Sequence, residues 1–283
     1  MKKILSLVFA ALMLVSVLAA CGSDAASAKV KVIEINLTDE EYAFGVDKTQ
    51  PELLEKVNAF IKEIKENGTF DEICNKYFGE GSEPTPVTSA ALDTSKDQLV
   101  VATNAAFEPF EYMDGESYLG IDMEIASLLA QELGMELVIQ NMDFEAVCLS
   151  VGQQKCDIAM AGLTVKPDRE AYVNFSDSYY SASQRLVVKA DDTTFDACTD
   201  AASVEAILNS FDSTTKIGVQ NGTTGKFYVE GDPEWGFDGF KVTCVGYRNG
   251  SLAVQDLING NLSCVIIDSA PAKCITDAFN AMD

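Results

Sequence analysis

The chain has no histidine, one tryptophan and seven prolines among 283 residues, and its eight cysteines form no CxxC pair. Without histidine the commonest metal ligand and the usual general base are missing, and the cysteine spacings match no zinc motif. We therefore expect no metal, no cofactor and no histidine-based catalysis. Basic residues are also scarce: 20 Lys and Arg stand against 44 Asp and Glu, a formal charge of −24. Such a field repels phosphate backbones and argues against a nucleic-acid partner. Screening beyond roughly 8 Å at physiological salt leaves a closed pocket to its local charges.

The apolar run Ile4–Ala20 follows Met1-Lys2-Lys3, the pattern of a cleaved signal peptide at residues 1–20. Its end, Leu18-Ala19-Ala20-Cys21-Gly22, resembles a bacterial lipobox, in which the cysteine is lipidated and becomes the new N-terminus. On that reading Cys21 anchors the protein to the outside of the cell membrane through a tether at 21–28. An ordinary thiol behind a soluble secretory signal is the alternative. Cleavage removes two lysines and no acid, giving a mature charge of −26. Seven cysteines remain, at 74, 148, 156, 198, 244, 264 and 274. An odd number leaves at least one free thiol, and both buried thiols and one or two disulfides fit.

Apolar spacing predicts a helix from Pro51 to the stop at Asn67-Gly68, then a helix opened by Thr69-Phe-Asp-Glu72 as a capping box and closed at Gly79. Residues 80–97 have linker composition. Beyond them the pattern alternates: strand 99–103, helix 122–133, strand 136–140, helix 144–153, strand 157–161, a helix carrying Arg169, a crossing at 186–189, then strands 216–220, 241–247 and 264–267 between helices. This alternation predicts two α/β lobes.

Several motifs suggest chemistry. In Ala161-Gly162-Leu-Thr164-Val-Lys-Pro-Asp-Arg169 an arginine follows a buried strand and a small-residue turn with free amides. Arginine presents a planar two-donor fork that matches a carboxylate, and unpaired N–H groups at a helix start add a second anchor. Before it stand Asn104-Ala-Ala-Phe107-Glu-Pro-Phe110-Glu-Tyr112 and Gly120-Ile-Asp122-Met-Glu-Ile-Ala126, and after it Asn174-Phe-Ser-Asp-Ser-Tyr-Tyr180. Taken together, residues 99–188 resemble the amino-acid-binding family 3 of bacterial ABC-transporter solute-binding proteins.

The resemblance implies a two-lobe, Venus-flytrap α/β fold with a two-strand hinge, placed near Tyr42–Val46 and Arg185–Val188. It implies a monomer that binds a free amino acid between its lobes and presents it to an ABC permease. Arg169, with the amides of Thr164, Thr223 and Thr224, would hold the ligand carboxylate. Asp268, the Gly162 carbonyl and the Thr164 hydroxyl would hold its ammonium, although an aspartate before a helix also serves as a cap. Phe107 and Phe144 match the aromatic walls of the family, whereas Phe110 and Tyr112 fit either core or pocket rim. Asn104 and Gln220 stand where glutamine-binding members tend to carry charges, so a neutral polar side chain is expected. A dehydratase acting on cyclic amino or keto acids is the rival on the same fold, but it needs a positioned acid or base.

One feature departs from the family order. Residues 29–79, with Leu37-Thr-Asp-Glu40-Glu-Tyr42-Ala-Phe-Gly-Val46, resemble the segment that normally ends such proteins, and here that segment comes first. A circular permutation is expected, with 29–38 and 188–283 forming lobe 2, 39–187 forming lobe 1, and the linker 80–97 joining the ancestral ends. The anchor has its own test: Cys21→Ser should leave unprocessed precursor or shift the protein out of the membrane fraction. A variant still cut at the same place and retained by membranes would contradict lipidation.

Overall fold

A computed structural model of the protein describes residues 28–79 and 83–282; the expected leader, Cys21 and all but the end of the tether lie outside the described residues. Two five-stranded sheets form two lobes. In lobe 1 the order is 173–175, 45–47, 158–159, 98–103, 136–141, and in lobe 2 it is 30–33, 184–189, 264–268, 216–220, 243–247. The strands at 98–103, 136–141 and 158–159 run parallel, as do those at 216–220, 243–247 and 264–268; the remaining strands join antiparallel. Parallel strands covered on both faces read as continuous apolar runs, as in Leu99-Val-Val-Ala102 and Cys264-Val-Ile-Ile267.

Helices cover both faces of each sheet. In lobe 1 the helices Pro51–Glu66 and Ile121–Leu133 share one apolar cluster with Leu99 and Val101, and Phe144–Gly152 packs on the opposite face. In lobe 2 the helices Ala201–Leu208 and Thr224–Glu230 cover one face, and Gly250–Ile258 and Ser269–Ala281 the other. Gly120 enters the Ile121–Leu133 helix at φ +124°, where a Cβ would sit 2.1 Å from the Phe110 carbonyl oxygen. Only glycine fits that approach.

The first described segment serves both lobes. Val30–Ile33 adds an edge strand to lobe 2, in register from Val30 opposite Lys189 to Ile33 opposite Leu186. The chain then crosses, places Gly45–Asp47 inside the lobe 1 sheet, and buries Leu53, Val57, Phe60, Ile61 and Ile64 of the first helix against that sheet. The described part of the linker is a strap along lobe 1. Val87 and Tyr118 exchange backbone hydrogen bonds at 2.8 and 2.9 Å, the Thr85 N–H donates to the Glu124 carboxylate, and the Ile139 N–H donates to Ser89 Oγ.

Six local expectations need correction. Thr69 does not cap its helix, because the Asn67-Gly68 turn puts Gly68 at φ +85° in the cap position and Asn67 Oδ1 accepts the Thr69 N–H. The strand at 157–161 shrinks to Ile158–Ala159, and the one at 241–247 begins at Thr243. Arg169 stands in a three-residue 3-10 turn, since the chain must extend by Val173 to pair with Gly45–Asp47. The hinge pair is Glu40–Tyr42 with Tyr180–Ala182. Gln184–Lys189 lies within the lobe 2 sheet, because burial of Leu186, Val187 and Val188 on both faces demands it, and this strand spans the expected 187/188 boundary. Of the two cysteine alternatives, the structure holds thiols: all seven described cysteines are free.

Candidate functional site

The hinge strand Glu40–Tyr42 sets the site. Side chains alternate along a strand, so Glu40 and Tyr42 turn to the same buried side while Glu41 faces solvent. The Tyr42 hydroxyl donates to Asp268 Oδ1 at 2.5 Å. Asp268 ends the apolar strand Cys264–Asp268, and the carboxyl ends of parallel strands are where open α/β sheets bind ligands. Glu40 Oε2 accepts from the Thr164 hydroxyl at 2.7 Å, and its Oε1 accepts from Gln184 Nε2 at 3.0 Å and Thr38 Oγ1 at 2.6 Å. Thr164 lies opposite Tyr42 in an isolated antiparallel bridge. The flanking bonds, Ala43 N–H to the Leu163 carbonyl and Val165 N–H to the Glu41 carbonyl, leave the Thr164 amide pointing away from the hinge strand.

Arg169 is buried at the lobe junction. Its Nη1 donates to the Thr164 carbonyl at 2.7 Å and its Nη2 to the Gly222 carbonyl of lobe 2 at 3.0 Å. The guanidinium carbon lies 5.2 Å from the centre of the Phe144 ring. The fork thus has its donors held toward two carbonyl oxygens, one from each lobe. Thr223 returns its hydroxyl to the Gln220 carbonyl, and no side chain caps the start of the helix Thr224–Glu230. The Thr224 hydroxyl meets the Thr164 hydroxyl at 3.3 Å across the junction.

Asn104 and Gln220 also meet across the lobes, Gln220 Nε2 donating to Asn104 Oδ1 at 3.2 Å, while Asn104 Nδ2 donates to the Met142 carbonyl. Gln220 Oε1 is buried without a partner. Gly162, at φ +52°, lets Phe107 and Tyr42 close over the turn: a Cβ there would lie 2.8 Å from Phe107 Cε1 and 3.3 Å from Tyr42 Cε2. Phe144, beside Gly222 and Arg169, lines a cavity of about 200 Å³ with Cys148, Leu163 and Phe227. All ten residues expected at the site therefore lie along one lobe junction. Phe110 is core, ringed by Tyr42, Phe107 and Tyr180, and the half-buried Tyr112 packs edge-on to Tyr77.

Sequence reasoning missed Glu40, Tyr42 and Glu111. The alternation of Glu40 and Tyr42 was a legible signal, since a charged residue in phase with an apolar one on a strand faces inward. Glu111 is fully buried, and neither of its carboxylate oxygens has a partner. Burial, then the neighbouring Asp122 and Asp268 charges, push its carboxyl well above the usual range. Burial also pushes Asp122 up to about 7, against hydrogen bonds from the Gly162 amide at 2.9 Å and the Tyr179 hydroxyl at 2.6 Å. Asp268 is pushed up to about 7 by burial first and by Glu40 second. Desolvation favours the neutral form of a buried carboxyl, and among the described residues none of these carboxyls forms an ion pair with Lys or Arg.

Two ion pairs bridge the lobes outside this cluster. The buried Lys166 meets Asp232 at 2.7 Å, with its ammonium 4.2 Å from the Phe227 ring centre, and the exposed Arg248 meets Asp143 at 2.5 Å. These contacts describe lobes closed on one another. Among the described residues, no group of three or more Cys, Asp or Glu side chains could hold a metal ion.

A model of the family described as bacterial extracellular solute-binding proteins, family 3, matches residues 8–80 and 99–269. The arginine-binding extracellular protein ArtP of Bacillus subtilis is 35% identical over 104 residues, 37% of this chain and 41% of that protein. The putative ABC transporter arginine-binding protein 2 of Escherichia coli is 30% identical over 179 residues, 62% of this chain and 65% of that protein. The matches thus span less than two thirds of either relative. Holo ArgBP from T. maritima superposes with a TM-score of 0.55 at 31% identity, covering 66% of this chain and 77% of that one. An ancestral amino-acid-binding protein, a precursor of cyclohexadienyl dehydratase, superposes with a TM-score of 0.55 at 26% identity, covering 74% and 78%.

Proposed function

The chain belongs to the bacterial extracellular solute-binding proteins of family 3, and from that premise we propose that it is the extracytoplasmic component of an ABC importer for a free L-α-amino acid. The observation that carries this reading is that the Arg169 fork and the Asp268 carboxylate are both buried at one junction and linked through Thr164 and its bridge partner Tyr42. A zwitterionic α-carbon needs both. Arg169 takes the carboxylate in place of the Thr164 and Gly222 carbonyls, with the amides of Thr164, Thr223 and Thr224. Asp268 takes the ammonium, with the Gly162 carbonyl and the Thr164 hydroxyl. Phe107 and Phe144 flank the side chain. Because these groups come from both lobes, the ligand favours the closed state. Closure of periplasmic binding proteins is a standard case of hinge motion, and the closed form is what the permease would read. Lipidation at Cys21 would keep the protein at the membrane.

In favour of the dehydratase reading stands a structural neighbour described as an amino-acid-binding precursor of such an enzyme. It has no histidine to serve it, and the buried carboxyls here face one another and the hinge tyrosines. We read the protein as a binding protein.

The ligand side chain meets Asn104 and Gln220, an uncharged amide pair with one unpaired acceptor, Gln220 Oε1. A side chain ending in N–H donors fits, and a neutral amide such as that of glutamine satisfies it. A cationic side chain is the second reading, favoured by four buried carboxyls, Glu40, Glu111, Asp122 and Asp268, and by relatives named for arginine.

The segment order supports a circular permutation. Residues 28–79 dock on both lobes of their own chain, the family match falls in two blocks, and the strap along lobe 1 separates them. A chain re-cut to begin at Asp97, with residues 28–79 placed after residue 282, should fold and bind equally well; failure of such a chain to fold would count against the permutation.

For the ligand, titration calorimetry with glutamine, arginine, serine and glutamate should rank a donor-ended side chain above glutamate. The expected margin is about tenfold to hundredfold, since an unpaired buried polar group costs on the order of 1–3 kcal/mol. Arginine tightest selects the cationic reading over the neutral one, and glutamate tightest contradicts both.

A further inference from the structure

Four buried carboxyls converge where the lobes meet, and two of them adjoin the place proposed for the ligand ammonium. Asp268 comes from the end of a lobe 2 strand and Glu40 from the hinge. The Gln184 side chain ties them together: its amide donates to Glu40 Oε1 at 3.0 Å and also supports Asp268. Glu40 in turn receives the hydroxyl of Thr164, the other ammonium partner. Removing Glu40 would therefore disturb both partners without removing either.

The groups facing this pair from the surrounding elements are few. Tyr42, on the hinge strand, donates its hydroxyl to Asp268. Glu111 reaches Asp268 and Asp122 electrostatically, and Asp122 is bonded to Tyr179. Arg169 is committed to two carbonyls. Among the described residues, the pair's hydrogen-bond partners are the hydroxyls of Thr38, Thr164 and Tyr42 and the Gln184 amide, with no Lys or Arg paired to either carboxyl.

Resting on the amino-acid reading above, we infer that Glu40 is a positioning residue of the ammonium site, and that the ligand ammonium enters in exchange for a proton held on Asp268. The proton goes to the buffer; the ligand arrives already bearing its own charge, so the exchange is balanced. It also protects the empty site, because a protonated Asp268 lets the lobes close without burying two adjacent charges. The sign follows from burial and Glu40 holding Asp268 up to about 7: the proton is present below that pH and lost as pH rises through it. Ligand-free closure is therefore favoured in acid, and proton release on binding fades in alkali.

The test is calorimetry of the full mature protein with L-glutamine and L-arginine, run in phosphate and in imidazole, which both buffer from pH 6 to 8 and differ in ionisation enthalpy. Release should approach one proton per ligand at pH 6 and fall to a small fraction by pH 8, where the ligand still carries its own ammonium charge. Glu40→Gln, which keeps the shape and an acceptor for Thr164, should move the midpoint of release down by at least one pH unit; a merely structural role would not move it. Asp122→Asn should leave the proton count in place, and loss of the count there would assign the proton to Asp122 and overturn the inference. Tight binding with buffer-independent enthalpy at pH 6, or an unmoved midpoint in Glu40→Gln, also overturns it while leaving the amino-acid reading intact. If no amino acid binds, the reading and this inference fall together.

Discussion

The lobe junction buries more carboxyls than cations, and most of the site follows from how that imbalance is held. Glu40, Glu111, Asp122 and Asp268 are all buried there, while of the two buried cations Lys166 is already paired with Asp232. Arg169 remains, and its fork is turned to carbonyl oxygens. Isolated buried charges cost several kcal/mol each, so the carboxyls are held by tyrosine hydroxyls, amides and protons instead. On the proposed reading a zwitterion would resolve the arrangement at both ends, giving the fork an anion and Asp268 a cation.

The hinge strand matters because it serves mechanics and recognition together. Glu40–Tyr42 pairs with Tyr180–Ala182 as the chain crosses between lobes, and its inward side chains hold Thr164 of lobe 1 and Asp268 of lobe 2. A rotation about this pair necessarily moves the ammonium partners relative to each other. On the proposed reading closure and ligand capture would be one event, and the Lys166–Asp232 and Arg248–Asp143 pairs add contacts between the lobes at the edges.

Much of this was legible in the sequence. Long periodic segments such as Pro51–Glu66 and Ile121–Leu133 announced themselves because burial repeats at helical spacing, and the strands at 99–103 and 264–267 because parallel strands are apolar throughout. Arg169 and Asp268 were named as site candidates from motif context and strand position, and the fold buries both at the lobe junction. What local pattern did not reveal depended on partners distant in sequence. The Arg169 turn is 3-10 because Val173–Phe175 must reach a strand more than 120 residues earlier. Glu111 sits in a short strand amid aromatic residues, and nothing nearby in sequence says that Asp122 and Asp268 will stand beside it.

The central claim is that Arg169 holds the ligand carboxylate through its two-donor fork, and the affinity of its variants for the tightest-binding amino acid tests this most directly. Arg169→Ala should cost about 2–5 kcal/mol of binding free energy, roughly 30-fold or more, because it strips one partner from a buried charged pair. Arg169→Lys should recover little of it, since a point charge cannot reproduce the fork. Affinity unchanged in folded Arg169→Ala, measured by calorimetry, would contradict the account and place the site elsewhere.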